Sequence, residues 1–144
     1  MIPEPLASIA VASNSGFGEL TVEVAPENIL EALRIAKIEL KFERLSTVTA
    51  VDRYPAEPRF EVVYHLQSIS KKERLRLKAR VSGDNPQIHS AVSIYRAADW
   101  YEREAFDFFG IQFLNHPNLK RIMMPEDWEG YPLRKDYPVT GTRY

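Results

Sequence analysis

The chain contains no cysteine. That absence excludes thiolate zinc sites, cysteine-ligated iron–sulfur clusters, thiol nucleophiles and disulfide staples, so any redox chemistry must belong to a partner. An excess of one charge is also missing. With 19 basic and 20 acidic side chains the net charge is -1, and no overall field draws the molecule to nucleic acid or to an anionic membrane. Apolar runs fall far short of the roughly 20 residues needed to cross a bilayer, and residues 1–12 lack the charged start of a signal peptide. The expectation is a soluble cytoplasmic protein. No Gly-x-Ser-x-Gly elbow and no glycine-rich strand-to-helix loop occurs, so nucleophilic hydrolysis and phosphate cradling lack support. The histidines, His65, His89 and His116, lie far apart and without ligand spacing.

What is present is one domain's worth of chain. A length of 144 residues lets roughly 68–70% of the unfolded surface be buried, and 44% apolar residues with 11% aromatics supply a core. Residues 1–18, with Pro3, Pro5, Gly16 and Gly18 among small side chains, read as a loosely ordered arm with at most a short helix over 6–12. From Glu19, Leu20, Val22 and Val24 alternate with polar residues as in a strand with one buried face. Pro26 suits a first helical turn, and Ile29, Leu30, Leu33, Ala36 and Leu40 recur at helical spacing. Residues 42–52, rich in Thr and Val, predict a second strand that ends at a loop holding Pro55 and Pro58. Alternation then predicts strands over 59–68 and 73–81 joined by a hairpin loop at 69–72. A short helix is expected over 88–95 and a longer one over 100–109, with Asp99 capping its start, Glu102 reaching back, and Gly110 as its left-handed stop.

Beyond Gly110, Pro117, Pro125, Pro132 and Pro138 come too often for a helix or an interior strand. Aromatic residues nevertheless crowd between Tyr95 and Tyr137, unlike a solvated tail. An ordered, extended segment that wraps a surface reconciles the two. Its stretch 132–138 is expected to alternate, with Leu133, Lys135 and Tyr137 on one side and Arg134 and Asp136 on the other, and to owe part of its order to a partner.

Two charged groupings invite chemistry. Arg103 and Asp107 stand at i,i+4 and Glu104 and Asp107 at i,i+3, which suits a charged network against a partner or loop better than a metal site lacking a helical histidine and a second such helix. Arg74, Arg76, Lys78 and Arg80 share one face of a strand. They could track phosphates as a nucleic-acid-binding module, yet the near-neutral total and the lack of an aromatic platform favour a solvated or partner-facing sheet.

The run Glu102-Arg103-Glu104-Ala105-Phe106-Asp107-Phe108-Phe109-Gly110-Ile111, then His116-Pro117-Asn118-Leu119-Lys120-Arg121-Ile122, then Gly130-Tyr131-Pro132-Leu133-Arg134-Lys135-Asp136-Tyr137-Pro138, resembles the signature of the C subunit of NADH-quinone oxidoreductase, respiratory complex I. Trp100, the 125–129 stretch and the 48–52 strand also look like that family. Asn115 departs from the family's usual glycine but also tolerates left-handed backbone.

The resemblance implies a two-layer α+β domain over 19–110, a mixed sheet packed by helices, followed by an extended Pro-rich docking segment over 111–144. It implies a non-catalytic subunit of the peripheral arm of a proton-translocating complex that passes electrons from NADH through flavin and iron–sulfur clusters to quinone. Those cofactors are expected in partners, and none in this chain. The expected partners line the quinone site and carry the terminal cluster, on the cytoplasmic side of the membrane. Glu102, Arg103, Glu104, Asp107, His116, Arg121, Arg134, Lys135 and Asp136 are the residues expected at the interface with other subunits, with no catalytic, cofactor or metal residue among them. Related subunits of membrane-bound hydrogenases, formate hydrogenlyase and F420 dehydrogenases share parts of the signature.

Overall fold

Alternation of apolar and polar residues builds the centre of the molecule. Phe60, Val62, Tyr64 and Leu66 on one strand and Leu75, Leu77, Ala79 and Val81 on the next all point into the core, none more than 3% exposed. A computed structural model describes residues 6, 9–16, 19–125, 127–128 and 130–136. Within them a five-stranded mixed sheet is formed by β1 (Ala10–Gly16), β2 (Glu19–Val24), β3 (Arg44–Asp52), β4 (Phe60–Ser68) and β5 (Glu73–Val81), in the order β1-β2-β5-β4-β3. The β2–β5 pair is parallel and the others antiparallel. A parallel neighbour requires a crossover. Here it runs through a 3-10 turn (Pro26–Asn28), helix α1 (Ile29–Arg34) and a widened π turn (Ile35–Glu39), then through β3 and β4.

Ile29, Ala32, Leu33 and Ala36 bury the inner face of this helical stretch in the core. Lys41 turns the chain with φ 65°, and the β4–β5 hairpin closes over 69–72 as the turn residues predicted. Helix α2 (Ala98–Phe109) packs against β3, and a small parallel pair, β6 (Gln87–His89) with β7 (Gln112–Leu114), closes the end of the domain. This is the two-layer α+β arrangement, with a mixed sheet packed by helices, that the resemblance implied.

Three local expectations are corrected. Residues 10–16, read as part of a loose arm with a helix, form edge strand β1 against β2; small residues hid the alternation, and Val11 stays 65% exposed. The helix expected over 88–95 is instead β6 followed by one turn, in which the Ile94 and Tyr95 amides donate to Ala91 O. The apolar spacing there serves Ile88, Ala91 and Tyr95, all buried. The stretch near residue 132 is a turn, with the Arg134 amide donating to Tyr131 O, because Pro132 has the fixed φ that the second turn position favours. Leu133 therefore points outward, 54% exposed, and Arg134 inward. Tyr137 and Pro138 lie outside the described residues.

The outer sheet face is polar: Glu19, Thr21 and Glu23 of β2 sit beside Arg74, Arg76 and Lys78 of β5. Burial on one side only sets a contrast between neighbours. Leu77→Ala should cost ~2–5 kcal/mol through the cavity it leaves, whereas Lys78→Ala, losing a partly exposed contact to Glu61, should cost under ~1 kcal/mol in denaturant titrations. Equal losses would contradict the one-sided sheet.

Candidate functional site: a charge-fastened C-terminal segment

Pro-rich backbone cannot join a ladder, so its order must come from side chains. Helix α2 supplies the first fastening. Asp107, fully buried in the last turn of the helix, accepts from Arg121 Nε at 2.7 Å and from the backbone amides of Ile122, Met123 and Met124 at 3.0, 2.5 and 3.0 Å. Arg121 continues to three carbonyls, Asp107 O at 2.8 Å, Trp128 O at 2.7 Å and Gly130 O at 2.9 Å. Burial alone would raise the Asp107 pKa, but the guanidinium and the amides outweigh it and hold the carboxyl below its ordinary range.

A second fastening begins on β3 and β4. Arg59 forks onto Asp52 with two bonds of 2.8 Å and reaches Asp136 at 2.7 Å. Asp52 also accepts from the amides of Tyr54 and Lys135. Burial opposes ionisation of Asp52, yet Arg59 and these amides pull its pKa down to about 2. Between the two fastenings, Arg134 Nε donates to Phe109 O at 2.7 Å and its guanidinium lies 4.7 Å from the Tyr131 ring and 5.2 Å from Phe60. Gly110 permits this crossing. Its φ is 78°, and a Cβ there would stand 2.7 Å from the Tyr131 ring and 2.8 Å from Arg134 Nη2.

The third group joins the start of α2 to the domain end. Glu102, fully buried, accepts from Ser90 Oγ at 2.6 Å and from the Ala91 amide at 2.7 Å. His116 Nδ1 accepts from the Asn118 amide, so Nε2 carries the proton and donates to Asp99 O at 3.1 Å. Asn115, φ 64°, makes the turn that delivers this ring. Arg103 pairs with Asp99 at 2.9 Å and lies over the exposed Trp100.

The structure thus re-pairs the sequence's charges. Arg103 bonds Asp99, one turn earlier, because Asp107 faces the core and belongs to Arg121. The expected capping box does not form: no side chain among the described residues caps α2, and Glu102 turns inward to Ser90 and Ala91. Glu102 and Asp107, expected at an interface, are sealed inside the chain. Arg103, Glu104, Lys135 and Asp136 remain at least partly accessible. Asp52 and Arg59 were missed; the signal was a buried-strand Asp and an Arg flanking a Pro loop, which gives no hint that Arg59 also meets Asp136, 77 residues on. Among the described residues no group of three His, Asp or Glu could hold a metal ion. The β5 stripe is laced with acids, Arg76 to Glu19 at 2.8 Å and Lys78 to Glu61 at 3.5 Å.

The family model described as respiratory-chain NADH dehydrogenase, 30 Kd subunit, matches residues 22–143. The C subunit of the NADH-quinone oxidoreductase of Citrifermentans bemidjiense is 54% identical over 86% of this chain and 77% of its own. Its counterpart in Geotalea uraniireducens is 46% identical over 96% and 84%. Among solved structures, a trypsin-resistant fragment of Nqo5 superposes with TM-score 0.67 at 29% identity, covering 73% of this chain and 86% of the fragment. A chain in the structure of a membrane-bound sulfane sulfur reductase, an archaeal respiratory membrane complex, gives TM-score 0.81 at 31% identity, covering 94% and 82%.

Removing one partner of a buried pair strands the other. Asp107→Asn should cost ~3–5 kcal/mol, and Arg103→Ala, whose pair with Asp99 is partly exposed, only ~0–1 kcal/mol, in chemical denaturation. The lowered carboxyls also fix a pH dependence. The stability contributed by Asp52 is present above its unfolded pKa near 3.8 and is lost as pH falls toward about 2. Acid titration of Asp52→Asn should therefore be flatter over that window than the parent's, and an unchanged slope would contradict the assignment.

Proposed function

The chain belongs to the family of the 30 kDa subunit of the respiratory-chain NADH dehydrogenase, and from that membership we propose that it is a structural subunit of the peripheral arm of a proton-translocating NADH:quinone oxidoreductase, with no active site of its own. In this reading flavin, iron–sulfur clusters, NADH and quinone reside in partners. The chain sits on the cytoplasmic side of the membrane, beside the subunits that line the quinone site and carry the terminal cluster. No helix among the described residues is long and apolar enough to cross a membrane, which suits peripheral attachment. The sheet and helices from β1 through β7 form the supporting domain, and the segment after β7 is the docking segment.

One observation carries the reading: large apolar side chains stand in water on backbone that is itself firmly held. Trp100 on α2 is 49% exposed, and Met123 and Leu133 on the fastened segment are 53% and 54% exposed. The Met123 amide is bonded to the Asp107 carboxylate and the Leu133 amide to Phe108 O, while both side chains stay outside. Apolar groups presented in this way suit burial by another subunit. Arg103, Glu104, Lys135 and Asp136 supply a polar rim.

A second reading, the equivalent subunit of a related membrane-bound complex, is favoured by the likeness to the sulfane sulfur reductase chain. Pull-down of the tagged chain from gently solubilised membranes separates the two by the identity of the co-purifying subunits. Leu133→Asp and Trp100→Asp should each leave folding stability within about 0.5 kcal/mol of the parent, because neither side chain is buried. Both should sharply reduce recovery of partner subunits. Undiminished recovery with both variants would place the docking surface elsewhere.

A further inference from the structure

Most buried carboxylates of this chain are matched by a cation, Asp107 by Arg121 and Asp52 by Arg59. Glu102 is not. It is fully buried, and its close donors are neutral: the Ser90 hydroxyl at 2.6 Å and the Ala91 amide at 2.7 Å. The ionisable groups that face it are Tyr64 from β4, Asp99 from the first turn of α2, already paired with Arg103, and His116 from the turn after β7. The His116 Nε2 atom lies 3.9 Å from Glu102 Oε1, but its proton is directed to Asp99 O at 3.1 Å. The Tyr64 hydroxyl is buried without a hydrogen-bond partner among the described residues.

We propose that Glu102 is a buried proton-binding site, and that its proton occupancy sets how tightly Ser90 and Ala91 are held to helix α2. The ionised carboxylate accepts two charge-assisted bonds, which are about twice as strong as neutral ones. A proton on Glu102 replaces one acceptor position by a donor, so one of those two bonds weakens. Low polarity around the group and the negative charge of Asp99 favour the proton; Ser90 and Ala91 favour its loss. Burial leads this balance and raises the Glu102 pKa from 4.5 to about 7. The folded chain therefore binds this proton more tightly than the unfolded chain. The resulting stabilisation is full below about pH 4.5 and disappears as pH rises through about 7. The join between α2 and the β6–β7 end is thus set to respond near neutrality.

Infrared spectroscopy of the full chain, titrated from about pH 5 to about pH 8, tests this through the carboxylic-acid C=O stretch. The parent should show a carboxylic-acid band lost with a midpoint of about 7, and Glu102→Gln should lack it. Ser90→Ala should move the midpoint upward, since a donor to the ionised form is gone; this variant also decides the matter if Glu102→Gln does not fold. Exchange of the Ala91 amide by local opening, with Glu102 still buried and under conditions where global unfolding does not contribute, should slow as the band disappears, once corrected for its intrinsic pH dependence. A parent with every carboxyl ionised at about pH 5.5, a band that survives in Glu102→Gln, or an unmoved midpoint in Ser90→Ala would overturn the site. Protection of Ala91 that does not change with pH would overturn the coupling.

Discussion

The buried carboxylate of Asp107 is the contact on which the C-terminal third depends. A segment studded with prolines forfeits amide donors and regular ladders, so its backbone must be held one group at a time. Asp107 gathers three successive amides and a guanidinium onto two oxygens, and Arg121 then directs its remaining donors to three carbonyls. Such an arrangement satisfies polar groups that would otherwise be buried at a cost of ~1–3 kcal/mol each. It also fixes where the segment returns to α2 after leaving it at Gly110, ahead of Leu133, Arg134 and Asp136.

The polar network and the apolar surface are consequences of each other. Because charges rather than apolar side chains fasten the segment, Met123 and Leu133 are released from packing duty and face solvent. A segment held by its own hydrophobic groups would have nothing apolar left to offer a partner. The division fits a subunit whose work is contact: rigid enough to present a defined surface, with greasy groups available for burial.

Much of this was legible in the sequence, and the failures have physical causes. The strands at 60–68 and 73–81 declared themselves through strict alternation, and Gly110 through its place after a helical run. Strand β1 did not, because its small side chains carry no hydrophobic pattern and its order comes from pairing with β2. The signature residues marked the right region, but sequence spacing could not say which charge meets which. Arg103 and Asp107 share a helix and look like partners; rotation of α2 instead points one to solvent and the other to the core. Glu102 looked like a capping residue for the same reason, since i,i+3 spacing says nothing of what lies across the helix. The Asp52–Arg59–Asp136 contact joins positions far apart in the chain, and no local pattern encodes it.

If the segment after Gly110 is fastened by this chain's own charges before any partner arrives, its bonded amides must already be shielded in the isolated protein. Amide hydrogen exchange on the isolated full chain measures that directly. The amides of Ile122, Met123, Met124 and Lys135, bonded to Asp107 and Asp52, are expected to be protected to a degree approaching that of β4 and β5. Exchange of these four at the rate of free backbone, with the sheet still protected, would mean that the partner orders the segment and would contradict its fastening from within.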